Sequence, residues 1–258
     1  MRWHLETFPH SCRGKPLVVF PNCRGDRLVT TVSPPESTSQ IMKPTRILIA
    51  DDHEVVRSGL RTMIATIPDC TVCGEATDGR EALRLAEELK PDIAVLDITM
   101  PELNGLDTAQ QIRRLLPETE IMLITGDRDP DLVSRAFEIG ARAFLSKTEK
   151  GQDFRAALEA LRQHKPYFSR EVSEILFQRM MTGKAKSGEH QPSGNLSARE
   201  REIAQLVVEG RTNKEVAAAL HISEKTVEGH RAMIMRRLKL KTFSDLVRWA
   251  IRNHLIAP

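Results

Sequence analysis

Four short apolar runs, each followed by a polar residue, constrain the fold of this chain more than any other feature. The first run ends at Asp51 and Asp52, the second at Asp97 and the third at Thr125, while Lys147 follows the fourth after one serine. Segments of helical periodicity separate the runs. Parallel strands share one edge at their carboxyl ends, and ligands bind there in open sheets. The pattern predicts an α/β fold, a five-stranded doubly wound parallel sheet with a polar site at that edge.

Bulk composition narrows the class of protein. The 258 residues suffice for two modest domains with cores. No apolar stretch approaches the roughly 18 residues that cross a bilayer, and the amino terminus is too polar for a secretory signal. Four cysteines favour a reducing compartment, so we expect a cytoplasmic protein without a membrane partner. Cys70 and Cys73 form a C-x-x-C pair, which we interpret as small hydrophobic residues rather than as a redox or zinc site.

Charge is divided unevenly along the chain. Residues 43–165 carry 17 basic against 22 acidic side chains, a net charge of −5. Residues 184–258 carry 14 basic against 8 acidic side chains, a net charge of +6. The two parts are therefore expected to have different partners, and the basic part is suited to a polyanion.

Four segments follow from these patterns. Residues 1–42 lack periodicity and are predicted to be a disordered tail, with Met42 as a possible natural start. Residues 43–165 form the α/β domain, and residues 166–195 form a linker with one helix over 167–182. Residues 196–258 show helical patterns alone.

The helical segment carries repeated signals for helix starts. Capping boxes of the S/T-x-x-E type begin at Ser197 and Thr212, Ser223 can cap a third helix, and Thr242 or Ser244 a fourth. Short turns between such helices are typical of a helix-turn-helix, so we predict a small all-α domain of this kind.

The clustered carboxylates require a positive partner. Bringing Asp51, Asp52 and Asp97 to one sheet edge is unfavourable unless a cation intervenes, and Mg²⁺ suits carboxylates together with phosphoryl oxygens. Lys147 supplies a flexible positive charge and Thr125 a hydroxyl donor. We therefore predict that Asp97 attacks a phosphoryl donor. Any one of these residues alone would be read as an ordinary strand-end polar group, but their joint order argues against that.

Residues 45–165 resemble the receiver domain of two-component response regulators. The matching elements are Asp51-Asp52-His53, Leu96-Asp97-Ile98-Thr99-Met100-Pro101, Asn104-Gly105, Thr125 and Gly140-Ala141-Arg142-Ala143-Phe144-Leu145-Ser146-Lys147. The resemblance implies a flavodoxin-like fold and a phosphoacceptor role for Asp97.

The same resemblance implies the magnesium ligands and a switch. Asp52 would bind Mg²⁺ directly and Asp51 largely through water, with Asp97 and the Thr99 backbone carbonyl completing the protein ligands. Thr125 would move toward the phosphoryl group, and the ring of Phe144 would swing inward into the vacated space.

The segment Glu224–Leu238 separates into two faces when placed on a helix. Val227, Ile234 and Leu238 form a buried stripe with His230 beside it. The opposite face carries five residues: Lys225, Glu228, Gly229, Ala232 and Arg236. A glycine inside a helix costs about 1 kcal/mol against alanine, so either close approach to nucleic acid requires it or it is merely tolerated. Arg231 lies at the buried edge, where a phosphate contact and an intramolecular ion pair are both open.

Residues 196–256 resemble the LuxR-type helix-turn-helix of NarL/FixJ-class response regulators. The match runs through Leu196-Ser197-Ala198-Arg199-Glu200-Arg201-Glu202, Glu209-Gly210, Asn213-Lys214-Glu215-Val216-Ala217, Leu220-His221-Ile222-Ser223-Glu224-Lys225-Thr226-Val227, His230-Arg231 and Ile234-Met235-Arg236-Arg237-Leu238. It implies that Glu224–Leu238 is the recognition helix in the major groove of double-stranded DNA.

Contact roles follow from that resemblance. The expected backbone contacts are Lys214, Lys225 and Thr226, and the expected base-reading side is Glu228, Gly229 and Ala232, with Arg231 and Arg236 as further DNA-binding candidates. The last helix, 244–254, carries enough apolar residues for a homodimer contact in the active or DNA-bound state, and the alternative is that they pack inside a monomer.

The resulting interpretation is a DNA-binding transcriptional regulator, not an enzyme, switched when a sensor histidine kinase phosphorylates Asp97. An aspartyl-nucleophile phosphohydrolase is a weaker alternative, because such enzymes use a second aspartate two residues on and Thr99 stands there. A regulator that works unphosphorylated, or one that pairs with partners without binding promoters, stays open.

Overall fold

The computed structural model describes residues 43–126, 129–181 and 196–256. The predicted tail over 1–42, its possible start at Met42 and the linker residues 182–195 lie outside the described residues. The described residues fall within one compact unit that begins at Lys43.

A parallel sheet with helices on both faces forms the first part, as the sequence predicts. Its strands run in the order β2-β1-β3-β4-β5-β6. Their bounds are Thr45–Ala50 (β1), Cys70–Ala76 (β2), Ile93–Asp97 (β3), Glu120–Thr125 (β4), Ala143–Ser146 (β5) and Tyr167–Phe168 (β6). The surrounding helices are Glu54–Ala65 (α1), Gly79–Leu89 (α2), Gly105–Leu115 (α3), Pro130–Ile139 (α4), Gly151–Arg162 (α5) and Arg170–Met181 (α6).

The sixth strand corrects the predicted count of five. β6 consists of two residues and lies inside the segment that the sequence assigned to the linker and its helix. It pairs in parallel with β5, which places Phe168 beside Phe144. A two-residue strand has too little alternation to be recognised from sequence, and its pairing depends on a neighbouring edge that is available only in the folded domain.

Alternating side chains of the sheet pack into two separate cores, one on each face. Leu48 and Leu96 point to one core, together with residues of α2, α3, α4 and α6. Ile47 and Val95 point to the other core, against α1 and α5. Strands that are buried on both faces need continuous apolar runs rather than alternation. This explains why the central strands read as unbroken hydrophobic segments in the sequence.

The carboxyl-terminal part contains four helices, α7 to α10. Their bounds are Ala198–Val208 (α7), Asn213–Leu220 (α8), Glu224–Arg237 (α9) and Phe243–Arg252 (α10). The predicted capping boxes at Ser197 and Thr212 are both formed, and Ser223 caps α9. Thr242, not Ser244, caps α10, because its hydroxyl accepts the Asp245 amide while the Asp245 carboxylate accepts the Thr242 amide.

The apolar residues of α10 pack mainly within their own domain. Leu246, Ala250 and Leu255 are buried in a core shared with α7, α8 and α9. For these three residues the structure therefore favours internal packing over a dimer contact. Among the described residues, no helix has the length and apolar character needed to cross a bilayer.

Candidate functional site

The polar residues predicted at the sheet edge do meet in the structure. Asp51 follows β1, Asp97 ends β3, and Lys147 follows β5. Ligand atoms of Asp51, Asp52, His53 and Asp97 all lie within 4.8 Å of one another. This convergence follows from the parallel topology, which brings the carboxyl ends of β1, β3 and β5 to one edge.

Lys147 bridges two of the carboxylates. Its Nζ lies 2.8 Å from Asp51 Oδ2 and 3.0 Å from Asp97 Oδ2. Its backbone N–H donates to the carbonyl of Thr125 at 2.7 Å, which fixes the start of the side chain beside the end of β4. One ammonium thus faces several acidic groups, and the site retains an excess of negative charge.

Burial governs protonation in this cluster. Desolvation raises the pKa of Asp97 to about 6, an effect that the Lys147 charge opposes and the Asp51 charge reinforces. Burial by itself would lower the pKa of Lys147, but its bonds with Asp51 and Asp97 outweigh that effect and raise the pKa. Lys147 is therefore protonated at neutral pH, and Asp97 is held in an environment that disfavours its charge.

The donor set fits a hard divalent cation. Carboxylate oxygens from three aspartates face one another, and Asp97 is almost fully buried while Asp52 is exposed at the mouth of the site. Mg²⁺ prefers a small number of carboxylates and retains waters and phosphoryl oxygens, which requires an open side of this kind.

His53 also belongs to this cluster, although the sequence patterns predict no role for it. Its Nδ1 lies 2.7 Å from Asp52 Oδ1 and 3.3 Å from Asp51 Oδ1. His53 is also the residue that precedes α1, and its ring is largely exposed. The sole available signal was its position next to the acidic pair.

The loop that follows Asp97 passes close to the backbone of β3. The Gly105 N–H donates to the carbonyl of Ile98 at 2.8 Å, and a Cβ placed on Gly105 would lie 1.9 Å from the Asp97 carbonyl oxygen. Glycine is thus required for the loop to close over the end of the strand. Thr99, whose carbonyl is the predicted ligand, is the second residue of this loop.

Thr125 and Phe144, the predicted switch pair, are both buried. Phe144 is 1% exposed and Thr125 is 2% exposed. Phe168 of β6 lies beside Phe144 in the sheet, and its ring centroid is 6.3 Å from that of Phe137 on α4. The ring of Phe144 is therefore already inside, beneath the layer that β6 and α6 add to the domain.

A second candidate site lies on α9 and the start of α8. The predicted DNA-binding residues that are exposed are Lys214, Lys225, Thr226, Glu228, Gly229, Ala232 and Arg236. Val227 and Ile234 are buried on the opposite side, as the helical pattern predicts. Arg231 is half-buried, and its Nη1 donates to Asn213 Oδ1 at 2.6 Å. Its partner is therefore a polar amide rather than the charged side chain of an ion pair, and the phosphate contact stays a prediction.

These two parts together define a class of protein in which a receiver-type acidic pocket is joined to a helix-turn-helix. Residues 47–159 match the model of the response regulator receiver domain. Residues 194–250 match the model of bacterial regulatory proteins of the luxR family.

Curated relatives share both parts. The chain is 37% identical over 212 residues to the transcriptional regulatory protein LiaR of Bacillus subtilis, an alignment that covers 82% of this chain and 99% of that protein. It is 32% identical over 211 residues to the response regulator protein VraR of Staphylococcus aureus, covering 82% of this chain and 98% of that protein. The chain belongs to the response regulators of the NarL/FixJ class, which combine a receiver domain with a LuxR-type helix-turn-helix.

Solved structures agree with this assignment. The RcsB response regulator of Salmonella typhimurium superposes with a TM-score of 0.56 at 26% identity, covering 82% of this chain and 99% of that chain. RcsB of Salmonella enterica serovar Typhimurium bound to promoter rprA with a phosphomimetic gives a TM-score of 0.53 at 25% identity, covering 80% of this chain and 97% of that chain.

Proposed function

We propose that a sensor histidine kinase phosphorylates this regulator on Asp97 and that the protein acts on double-stranded DNA in the cytoplasm. The observation that carries the proposal is the Lys147 ammonium, held within 3.0 Å of both Asp51 and Asp97 at the edge of the sheet. In this arrangement a buried carboxylate lies in an acidic pocket beside a lysine ammonium, a group suited to phosphate.

Phosphoryl transfer requires little covalent chemistry from the protein. A carboxylate oxygen of Asp97 attacks phosphorus, the bond from phosphorus to the donor nitrogen breaks, and an acyl phosphate forms. Lys147 neutralises charge on the transferred group. Mg²⁺, held by Asp51, Asp52, Asp97 and the Thr99 carbonyl, would neutralise further negative charge when bound. The protein is thus an acceptor in the transfer rather than an enzyme that turns over a substrate.

Signal transmission would begin at Thr125. Its hydroxyl would donate to the phosphoryl group, and the Phe144 ring, which is already buried, would move further inward into the space that Thr125 leaves. Since Phe144 lies beside Phe168, a change at this pair would reach β6 and the helix α6 that follows it.

DNA recognition is assigned to α9 and the start of α8. The domains are residues 43–165 as the receiver, 166–195 as a linker whose β6 and α6 pack on the receiver, and 196–258 as the DNA-binding domain. Lys214, Lys225 and Thr226 would contact the backbone, with Arg231 and Arg236 as additional contacts, and Glu228, Gly229 and Ala232 would face the bases. Their exposure and the net positive charge of this part support the assignment. A homodimer on DNA is included because helix-turn-helix proteins commonly read paired half-sites.

The phosphoacceptor assignment is tested by replacing Asp97 with asparagine. We expect incorporation of phosphate from a small donor such as acetyl phosphate to be abolished, because the amide is not a nucleophile for this transfer. Asp69→Asn is the matched control, since Asp69 is exposed at a left-handed backbone position that asparagine adopts readily. Phosphate retained by the Asp97 variant, detected by intact mass, would contradict the proposal.

Replacing Gly229 with alanine tests the DNA-facing side of α9. Among the described residues, no atom beyond the neighbouring residues and backbone of the same helix lies within 4 Å of a Cβ built there, so the variant should gain about 1 kcal/mol of folding stability. The added methyl group would occupy space that DNA needs when it approaches this glycine closely. The affinity of the variant for a DNA fragment that the parent protein binds should therefore fall about tenfold, equivalent to about 1.4 kcal/mol.

The control for this variant is Gly59→Ala on α1, where a Cβ also meets open space. It should raise stability by a similar amount and leave DNA affinity unchanged. Anisotropy titrations that show equal affinity for both variants would mean that Gly229 is merely tolerated.

A further inference from the structure

The imidazole of His53 lies inside the carboxylate cluster at the edge of the sheet. Asp51, Asp52, His53 and Asp97 each offer one ligand atom, and these four atoms lie within 4.8 Å of one another. In the parts of the chain that the structure describes, no other set of three or more histidine, cysteine or acidic side chains converges in this way. The pocket therefore combines a ring nitrogen with the oxygen donors expected for Mg²⁺.

The backbone fixes the position of His53. Its N–H donates to Asp51 Oδ1 at 2.9 Å. Its carbonyl accepts the N–H groups of Val56 and Arg57 in the first turn of α1, both at 3.1 Å. The side chain itself does not cap the helix. The ring is thus held beside the carboxylates without a part in forming α1, which leaves it free to turn from Asp52 toward a bound ion.

Lys147 and His53 contact different oxygens of the cluster. Lys147 Nζ lies 2.8 Å from Asp51 Oδ2 and 3.0 Å from Asp97 Oδ2. His53 Nδ1 lies on the Oδ1 atoms, 2.7 Å from Asp52 and 3.3 Å from Asp51. A cation beside the ring consequently need not displace the lysine. Three ionised carboxylates and one ammonium leave two negative charges, which one divalent cation neutralises.

An imidazole changes which divalent cation suits the pocket. Mg²⁺ prefers oxygen donors and retains waters, whereas zinc binds imidazole nitrogen well. With His53 the pocket offers four protein ligands, which is the number that zinc takes in closed sites. The side chains of His53 and Asp52 are 66% and 36% exposed, so both can turn toward an ion without disturbing the core. Ligation through Nδ1 requires the ring proton to lie on Nε2, and water can hydrate that N–H on an exposed ring.

We propose that His53 is a zinc ligand: together with Asp51, Asp52 and Asp97 it allows Zn²⁺ to close the pocket, exclude Mg²⁺ and prevent phosphorylation of Asp97. This inference rests on the proposed function of Asp97. A site closed by four protein ligands has no open position for a phosphoryl oxygen, and the carboxylate that should attack phosphorus is itself a ligand. The regulator then responds to zinc as well as to its phosphodonor.

Two variants of the full chain separate ligation from a simpler role, in which the ring orients Asp52 by a hydrogen bond. His53→Asn keeps an N–H that can donate to Asp52 but lacks the ring nitrogen, and His53→Ala removes both. We expect calorimetric Zn²⁺ affinity for the pocket to fall at least about tenfold in both variants. The Mg²⁺ affinity of His53→Asn should stay within about twofold of the parent, because magnesium depends on the oxygen ligands.

Phosphate incorporation provides the second measurement. Acetyl phosphate and excess Mg²⁺ are held constant while Zn²⁺ is raised, and intact mass reports the phosphorylated fraction. We expect the zinc concentration for half-inhibition to be at least about tenfold higher for His53→Asn than for the parent. The matched control is His221→Asn, an exposed histidine at a left-handed position that asparagine adopts readily, which should respond to zinc as the parent does.

Each contrary result has its own meaning. Unchanged Zn²⁺ affinity in His53→Asn would overturn ligation by the ring. Equal losses of Zn²⁺ and Mg²⁺ affinity in both variants would assign the ring to orienting Asp52 and would also overturn it. A parent chain that incorporates phosphate normally in zinc would overturn the exclusion of Mg²⁺ while the phosphoacceptor assignment stands. A parent chain that incorporates no phosphate with Mg²⁺ alone would remove the proposed function, and this inference with it.

Discussion

Replacing Asp97 with asparagine is expected to stabilise the folded protein by about 1 to 3 kcal/mol at neutral pH in the absence of magnesium. Desolvation raises the pKa of Asp97 to about 6 in the folded state from an ordinary value of 3.8, so the ionised carboxylate favours unfolding. The asparagine side chain has the same shape and avoids that penalty. The buried carboxylate therefore lowers folding stability, and the same carboxylate is the proposed nucleophile.

The stability of the parent protein is expected to fall as the pH rises through the range in which Asp97 titrates. A carboxyl group with a raised pKa reduces stability as pH rises from about 4 to about 6, because the unfolded chain releases its proton first. Below about pH 4 Asp97 is protonated in both states, and the parent and variant should differ little. Urea denaturation of both proteins in EDTA across this range measures the effect. A variant that is less stable than the parent at pH 7 would contradict it.

Magnesium provides a second comparison on the same pair. Binding to the folded parent adds stability by mass action, and the variant has lost one carboxylate ligand. We therefore expect the difference in unfolding free energy between the two proteins to shrink or reverse when excess magnesium replaces EDTA. Removing the magnesium with a chelator should restore the original difference.

Replacing Gly105 with alanine is expected to lower folding stability by about 3 kcal/mol or more. The new Cβ would lie 1.9 Å from the Asp97 carbonyl oxygen and 2.9 Å from Ile98 Cα. Both contacts are with backbone, so no side-chain rotation relieves them. The loop must move away from β3, which also displaces Thr99 and should reduce phosphate incorporation in whatever folded protein remains.

The control is Gly59→Ala, also at a helical position but facing open space. It should be neutral or stabilising by up to about 1 kcal/mol. Guanidinium denaturation of the two variants separates close packing from a general preference for glycine. A Gly105 variant as stable as the Gly59 variant would mean that the close approach is not required.

The part of the site that the sequence predicted depends on local patterns. An apolar run followed by a polar residue places that residue at the end of a strand, and parallel topology then assembles Asp51, Asp97 and Lys147 without any knowledge of contacts. The start of α10 was ambiguous, because Thr242 and Ser244 are both good caps, and the reciprocal bonds with Asp245 decide between them.

The contacts between domains could not be predicted in this way. On α7, Gln205 donates to the Met100 carbonyl and Arg201 pairs with Asp107. Most polar residues on a helix face water, and these partners lie about a hundred positions earlier in the chain. Their burial depends on how the domains dock, a tertiary property that periodicity does not encode. The same limit explains why Glu102 offered no signal of its left-handed conformation.

The pairing of β6 with β5 has a consequence for aggregation. Without β6, β5 would be an edge strand of the sheet. Its unpaired backbone N–H and C=O groups could then form hydrogen bonds with a strand of another molecule. The two residues of β6 occupy part of that edge, and α6 packs against β6 and α4. Truncation before Tyr167 would therefore expose β5 as an unpaired edge strand. Copies of the shortened receiver should then aggregate through pairing of β5 between molecules.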